Sequence, residues 1–372
     1  MFGIGKKPSV SEEQVLNALR SVQEPDLRRD LVSLNMIKDL KIDDGTVSFN
    51  ILLTTPACPF KSKMEQDARQ AVLRLPGVKQ VNVAMPSATS SDQRIRGQLN
   101  IPVKNTVAVA SGKGGVGKST VTVNLAIALA QEGAKVGLMD ADVYGPNDHI
   151  MLGASKQPLF SQDGKIQPIS AHGIKLMSMG FLVEPEQALV WRGPMLHSVV
   201  RQFLNDVDWG DLDYLLIDLP PGTGDVQLSL AQSVPLTGAV MVTTPQDVAL
   251  ADVRKGVSAF EKLEVPILGV IENMSYFICP HCGERTEIFS HGGGRTAAEK
   301  WGVPFLGEIP LNPDIRSGGD AGTPITISKP DSVEAKVFHE LAKQVAAKVS
   351  VLNFGRKTPG IIAAGEIPVI KR

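Results

Sequence analysis

The chain has 372 residues, three cysteines, 38 Lys+Arg against 39 Asp+Glu, and 43% hydrophobic residues. At roughly 100–200 residues per domain this length implies two domains or three, and a charged fraction of 21% excludes wholesale disorder. A formal net charge of −1 gives no global attraction to nucleic acid or an anionic membrane, and three cysteines do not make a disulfide scaffold.

The opening MFGIGKKPSV lacks an apolar run followed by a small-residue cleavage site. No apolar stretch approaches the roughly 18–20 residues of a membrane span. A cytoplasmic protein without membrane or nucleic-acid partners is expected.

The first predicted element is a helix opened by a Ser11/Gln14 capping box, with Val15, Leu19 and Val22 at helical spacing and Pro25 as its stop. Residues 46–54 alternate as a strand on Val47, Phe49 and Ile51. A helix over 61–75 carries Met64, Ala68, Ala71, Val72 and Leu75 on one face, and 78–84 reads as another strand. Residues 1–85 thus form a small α+β domain. Residues 86–103 lack periodicity and read as a linker.

From 104 to 350 the pattern changes. Short apolar strands at 106–110, 135–139, 214–217, 239–243, 266–271 and 304–309 alternate with helical segments at 120–132, 195–206, 225–234, 247–263 and 332–349. Such alternation predicts an α/β domain with a mostly parallel sheet covered on both faces. The last helix should start at an Asp331/Glu334 capping box and bury Val333, Val337, Leu341 and Val345. Residues 351–372 read as a tail.

Between the first of these strands and its helix lies Gly112-Lys113-Gly114-Gly115-Val116-Gly117-Lys118-Ser119, a G-x-x-x-x-G-K-[ST] phosphate-binding loop in the required strand–loop–helix context. Its glycines let backbone N–H groups turn inward around phosphate oxygens, and the helix N-terminus adds its positive end. Lys118 should reach the β/γ-phosphates, Ser119 should ligate Mg²⁺, and Thr120 could contact the α-phosphate. The run K-G-G-V-G-K-S-T resembles the deviant Walker A motif of the MinD/ParA ATPases and the nitrogenase iron protein. That resemblance implies that Lys113 acts in trans within an ATP-sandwich homodimer.

Asp140 and Asp142 close one predicted strand and Asp218 another, at the strand ends where α/β sheets hold ligands. Asp218 is the Walker B candidate for Mg²⁺, with Asp140 beside it, and Asp142 matches the water-positioning aspartate of these ATPases. Gly222-Thr223-Gly224-Asp225 should form a switch that senses the γ-phosphate. Asn273 resembles the adenine-reading residue of the same ATPases. No N-K-x-D guanine motif is present, so ATP is favoured over GTP.

Cys279-Pro280-His281-Cys282-Gly283 presents two thiols on a turn. A C-x-x-C can be redox-active, or half of a structural zinc site that His281 or His291 would complete. The chain has no second pair, so a Cys₄ centre requires two copies related by a twofold axis. Cys58 lies in a Pro-flanked turn before the helix at 61–75, whose dipole could lower its pKa and make it an accessory thiol; a buried, inert cysteine is the alternative. The glycine-rich His291-Gly292-Gly293-Gly294-Arg295 reads as a flexible connection.

Taken together, K-G-G-V-G-K-S-T, D-A-D-V-Y-G-P-N, D-L-P-P-G-T-G-D and I-E-N-M-S-x-F-x-C-P-H-C-G resemble the Mrp/ApbC iron–sulfur cluster carriers over about residues 104–350. The segments Gln23-Glu24-Pro25-Asp26-Leu27 and Thr55-Pro56-Ala57-Cys58-Pro59 resemble the MIP18-type domain often fused ahead of that ATPase. The resemblance implies a labile 4Fe-4S cluster bound between protomers by Cys279 and Cys282. It also implies ATP hydrolysis, and transfer of the cluster from the assembly machinery to apo iron–sulfur proteins. A MinD/ParA-type positioning ATPase and a P-loop ATPase with structural zinc are the alternatives.

Overall fold

A computed structural model describes residues 10–98, 101–182 and 193–357. The chain divides into two compact units, residues 1–90 and 91–372. Among the described residues no helix is long and apolar enough to cross a membrane.

In the first unit, strands Ile37–Asp43, Thr46–Ile51 and Gln80–Ala84 form a three-stranded sheet, antiparallel then parallel. Val47, Phe49 and Ile51 alternate inward and meet Met64, Ala68 and Val72 of helix Lys61–Leu73 and Val15 and Leu19 of helix Glu12–Leu19 in one core. Each of the larger side chains contributes about 1.5–3 kcal/mol by leaving water. The Ser11/Gln14 capping box forms, but the helix stops at Leu19, not at Pro25. Pro25 instead lies in the turn between two short antiparallel strands, Gln23–Glu24 and Arg29–Asp30. The strand Ile37–Asp43 is an element that the sequence pattern does not announce, because its side chains are half-buried or exposed.

The second unit is built on eight strands: β1 (Thr106–Ser111), β2 (Val136–Asp140), β3 (Ile169–Ala171), β4 (Ile174–Ser178), β5 (Tyr214–Asp218), β6 (Gly238–Thr243), β7 (Ile267–Glu272) and β8 (Phe305–Glu308). Their order is β3-β4-β2-β5-β1-β6-β7-β8, parallel throughout except for the β3–β4 edge. Every residue of β1, β2, β5, β6 and β7 is buried, as expected for a parallel sheet covered on both faces. The covering helices include Lys118–Gln131, Asp247–Lys262 and Val333–Lys357.

Three expectations change here. Residues 93–98, expected within a linker, form a short helix. It is pinned because the buried Asp92 carboxylate takes Arg94 at 2.9 Å and Arg356 at 2.6 Å. The last helix is capped by Ser332, whose Oγ accepts the Ala335 N–H at 3.1 Å, while the Glu334 carboxylate accepts from Asn312 at 2.6 Å. With that start Val333 faces solvent and Val337 is half-buried; the buried stripe is Ala335, Phe338, Leu341, Ala342 and Val345. The helix also runs to Lys357, well into the expected tail, held by Arg356 and by a 2.7 Å bond from Asn353 to Asn105. Residues 358–372 lie outside the described residues.

Candidate nucleotide and metal centre

The loop 112–117 connects β1 to the helix Lys118–Gln131 at the carboxyl end of the sheet. Two of its glycines have visible reasons. A Cβ on Gly112 would stand 2.4 Å from backbone atoms of Asp252 and Val253. Gly117 has φ +78°, and its Cβ would meet Asn273 Nδ2 at 2.3 Å. Gly114 and Gly115 are exposed, Val116 is buried, and Ser119 and Thr120 sit half-buried in the first helical turn. Lys113 is half-buried, and its ammonium has no ion-pair partner among the described residues.

Lys118 is turned inward and almost wholly buried. Its ammonium lies 2.6 Å from Asp218 Oδ2 and 3.4 Å from Asp142 Oδ2. Ser119 Oγ donates to the same Asp218 oxygen at 2.6 Å, and Thr122 donates to its Oδ1 at 2.8 Å. Burial alone would push the Lys118 pKa down, but Asp218 and Asp142 outweigh it and hold it above the usual lysine range. Burial raises Asp142, partly offset by Lys118.

Asp140 ends β2 alongside Asp218 of β5. It accepts from Ser178 Oγ at 2.7 Å and from the N–H groups of Asp142 and Asp148 at 3.1 and 3.3 Å. Burial first, then the Asp218 carboxylate, raises its pKa. Sequence reasoning missed Asp148. It is fully buried at the start of a four-residue helix, and neither carboxylate oxygen has a hydrogen-bond partner among the described residues. Carboxylate oxygens of Asp140, Asp148 and Asp218 come within 4.8 Å of one another. Burial and these neighbours push Asp148 well above the ordinary carboxylate range. An all-oxygen donor set with an orphaned carboxylate fits a hard cation such as Mg²⁺. Residues 222–225, expected to act as a switch, follow β5, with Gly222 at φ +104° and its N–H donating to Ser111 O.

Asn273 follows β7, and its side-chain amide donates to Val116 O at 2.8 Å. The residue expected to read adenine therefore braces the phosphate loop here. Beyond it, Phe277–Ile278 pairs with Arg285–Thr286 as a two-residue hairpin whose loop holds Cys279 and Cys282. Cys279 N–H donates to Glu284 O, and Gly283 N–H returns to Cys279 O. Cys282 is exposed and Cys279 half-buried. The backbone N–H groups of Cys282 and His281, then the Cys282 thiol, favour the Cys279 thiolate and lower its pKa.

The His291–Arg295 segment is not a loose connection. Gly292 caps helix Gly293–Trp301 in a left-handed conformation, and the buried Glu272 carboxylate accepts from the N–H groups of Gly292 and Gly294. The expectation for Cys58 is also corrected. Its thiol is pushed up to about 11, because burial and the nearby Glu24 and Asp26 carboxylates outweigh the Phe60 N–H that favours the thiolate.

A strand, a glycine loop and a helix bearing Lys118, with carboxylates at the ends of neighbouring parallel strands, define a P-loop NTPase. Residues 102–346 match the family described as the NUBPL iron-transfer P-loop NTPase, and residues 12–84 match the family described as iron-sulfur cluster assembly protein. The chain belongs to the iron-transfer P-loop NTPase family and carries an iron–sulfur assembly domain ahead of it.

The iron-sulfur cluster carrier protein of Synechocystis sp. is 51% identical over 348 residues, spanning 92% of this chain and 99% of the relative. That of Escherichia coli K12 is 44% identical over 346 residues, spanning 92% and 94%. Among solved structures, a nucleotide-binding protein from Archaeoglobus fulgidus in complex with ADP has a TM-score of 0.55 at 42% identity, covering 62% of this chain and 91% of that one. The Pyrococcus furiosus cell division ATPase MinD has a TM-score of 0.50 at 26% identity, covering 65% and 98%.

Proposed function

We propose that this chain is an ATP-hydrolysing iron–sulfur cluster carrier. Two copies hold one 4Fe-4S cluster between them, each giving Cys279 and Cys282, and pass it from the assembly machinery to apo iron–sulfur proteins. The observation that carries this reading is the cysteine hairpin itself. It places two accessible sulfurs, one with a lowered pKa, on a short loop next to the sheet end that bears the phosphate site. One such pair is half of a Cys₄ centre, so the cluster calls for a homodimer. The naming of relatives as cluster carriers supports the same reading. A reducing cytoplasm, which keeps such thiols free, suits it.

In this reading ATP sits on the loop 112–117, with Lys118 on the β/γ-phosphates and Thr120 near the α-phosphate. Ser119 and Asp218 would hold Mg²⁺, with Asp140 beside them, and the ion would supply positive charge against the phosphate oxygens. Asp142 orients the attacking water. Lys113, without an ion-pair partner among the described residues, reaches the partner's nucleotide. Lys118→Ala should lower hydrolysis by more than about 100-fold, the scale for removing one charge-stabilising group from a transition state.

Anaerobic reconstitution of the Cys279→Ala/Cys282→Ala variant tests the carrier assignment. The variant should retain no iron or sulfide and stay colourless, while wild type turns brown. Equal iron and sulfide in both proteins would sink the assignment, and stoichiometric zinc in the brown protein's place would make the pair a structural site.

A further inference from the structure

The neighbouring residues Glu272 and Asn273 face two different sites. Asn273 reaches the phosphate loop through its 2.8 Å bond to Val116 O and lies against Gly117. Glu272 ends β7, is fully buried, and has its carboxylate turned towards the base of the cysteine hairpin. There it accepts from Ser275 Oγ at 2.6 Å, from Gly292 N–H at 3.0 Å, and from Gly294 N–H.

Ser275 passes the contact on. Its Oγ lies 3.0 Å from His291 Nδ1, and both nitrogens of that ring lie 2.9 Å from the Arg285 guanidinium. Arg285 stacks on Tyr276 with 4.0 Å to the ring centroid and pairs with Ile278, the residue before Cys279. The two stems of the cysteine loop, entering after Ser275 and leaving before Gly292, are thus fastened to one carboxylate. There is little slack at that point, since a Cβ on Gly294 would stand 2.9 Å from Glu272 Oε2.

We propose that Glu272 is a positioning residue for the cysteine pair, and that the Glu272–Asn273 step links the state of the phosphate loop to the geometry and accessibility of Cys279 and Cys282. The proposal rests on the reading above, in which the loop binds nucleotide and the hairpin binds the cluster. Phosphate on the loop draws the peptide N–H groups of 112–117 inward. The Val116 carbonyl belongs to those same peptides, so Asn273 must follow it or release it. Asn273 is also held to the sheet by its own N–H on Thr243 O at 2.8 Å. A shift there is therefore carried by β7's last residues to Glu272 and the hairpin stems. Coupling between sites of this kind is worth about 1–3 kcal/mol, or roughly 5–150-fold.

The test measures alkylation of Cys279 and Cys282 by iodoacetamide in the full-length, cluster-free protein. Peptide mass spectrometry follows each cysteine, without nucleotide and at an Mg·ADP concentration shown by titration to saturate each protein. In wild type the two rates should differ by about fivefold or more. In Glu272→Gln, which in either amide orientation sets an NH₂ against one of the two backbone donors, Gly292 or Gly294, the ratio should collapse towards one, with faster alkylation in both states. Ser275→Ala, a milder change that removes the hydroxyl between Glu272 and His291 but leaves both backbone donors on Glu272, should at least halve the ratio, and Glu272→Asp should restore part of it.

A wild-type ratio of one at saturating Mg·ADP would overturn the link, as would an undiminished ratio in both Glu272→Gln and Ser275→Ala. Neither result touches cluster binding. Loss of the carrier reading would show instead as iron and sulfide retained by the Cys279→Ala/Cys282→Ala variant, a separate measurement.

Discussion

Two cysteine turns in this molecule look alike in sequence and differ in chemistry. Thr55-Pro56-Ala57-Cys58-Pro59 and Cys279-Pro280-His281-Cys282 each set a thiol beside a proline in a tight turn. Cys58 is packed against the first unit's core, and burial together with Glu24 and Asp26 pushes its thiol up to about 11. Cys279 sits on a hairpin loop where backbone N–H groups and a second thiol favour the thiolate. A proline and a helix start nearby do not make a reactive cysteine. The number of donors aimed at the sulfur, set against the carboxylates and apolar groups around it, decides the matter.

Burial that protonates Cys58 acts on Glu24 as well, and this gives the largest expected effect. Glu24 is 7% exposed, accepts the Leu27 N–H at 2.5 Å, and has its pKa raised to about 7, chiefly by burial. Its folded value lies above its unfolded value, so the folded first unit binds the extra proton between about pH 4.5 and 7. Stability therefore falls as pH rises through that window and levels off above it. The total is about 3 kcal/mol at 1.36 kcal/mol per pKa unit. Glu24→Gln should raise the unit's stability by up to that amount at pH 8 and change little at pH 4. Hydrogen exchange of the Val47, Phe49 and Ile51 amides in the full chain would read it. A variant no more stable at pH 8 than wild type would remove the buried-acid account of this turn.

Next comes the contrast between the thiols themselves. At pH 7.5 a thiol near 11 is ionised about 300-fold less than one at the ordinary value of about 8.5. The greater nucleophilicity of the more basic thiolate returns about 10-fold of that. Iodoacetamide should therefore modify Cys279 roughly 30-fold faster than Cys58 in cluster-free protein, and equal rates would erase the comparison. Two smaller changes sharpen it from either side. Asp26→Asn should speed modification of Cys58 by about 2–5-fold by removing a nearby negative charge. Cys282→Ala should slow Cys279 by a similar factor of about 2–5 by removing one donor to its thiolate.

The sequence made the phosphate loop, the parallel strands and the strand-end positions of Asp140, Asp142 and Asp218 readable, because each follows from local patterning in a fixed context. Asp148 and Glu272 were not readable. Asp148 lies in a four-residue helix with no motif, and the fold sets it against Asp218, a strand end distant in sequence. Glu272 reads as the polar end of an apolar strand until the fold brings Gly292 and Gly294 to it. The strands β3 and β4 and the helix at 93–98 were hidden for a related reason. β3 is a three-residue edge strand, and β4 and the helix are held by partners distant in sequence, β2 for the one and the Asp92–Arg356 ion pair for the other. Ser332 took the cap from Asp331 because Glu334 is engaged by Asn312, a partner no local pattern could supply.

The contact between Lys118 and Asp218 bears on how nucleotide arrives. The two groups neutralise each other inside the protein, and Ser119 donates to the same carboxylate. On the proposed reading, uptake of Mg·nucleotide would be an exchange of counter-ions, with the Lys118 ammonium turning from Asp218 to phosphate and Asp218 freed to hold the divalent ion. Nucleotide and metal should enter as one package, since either alone would strand a buried charge that the other is needed to balance.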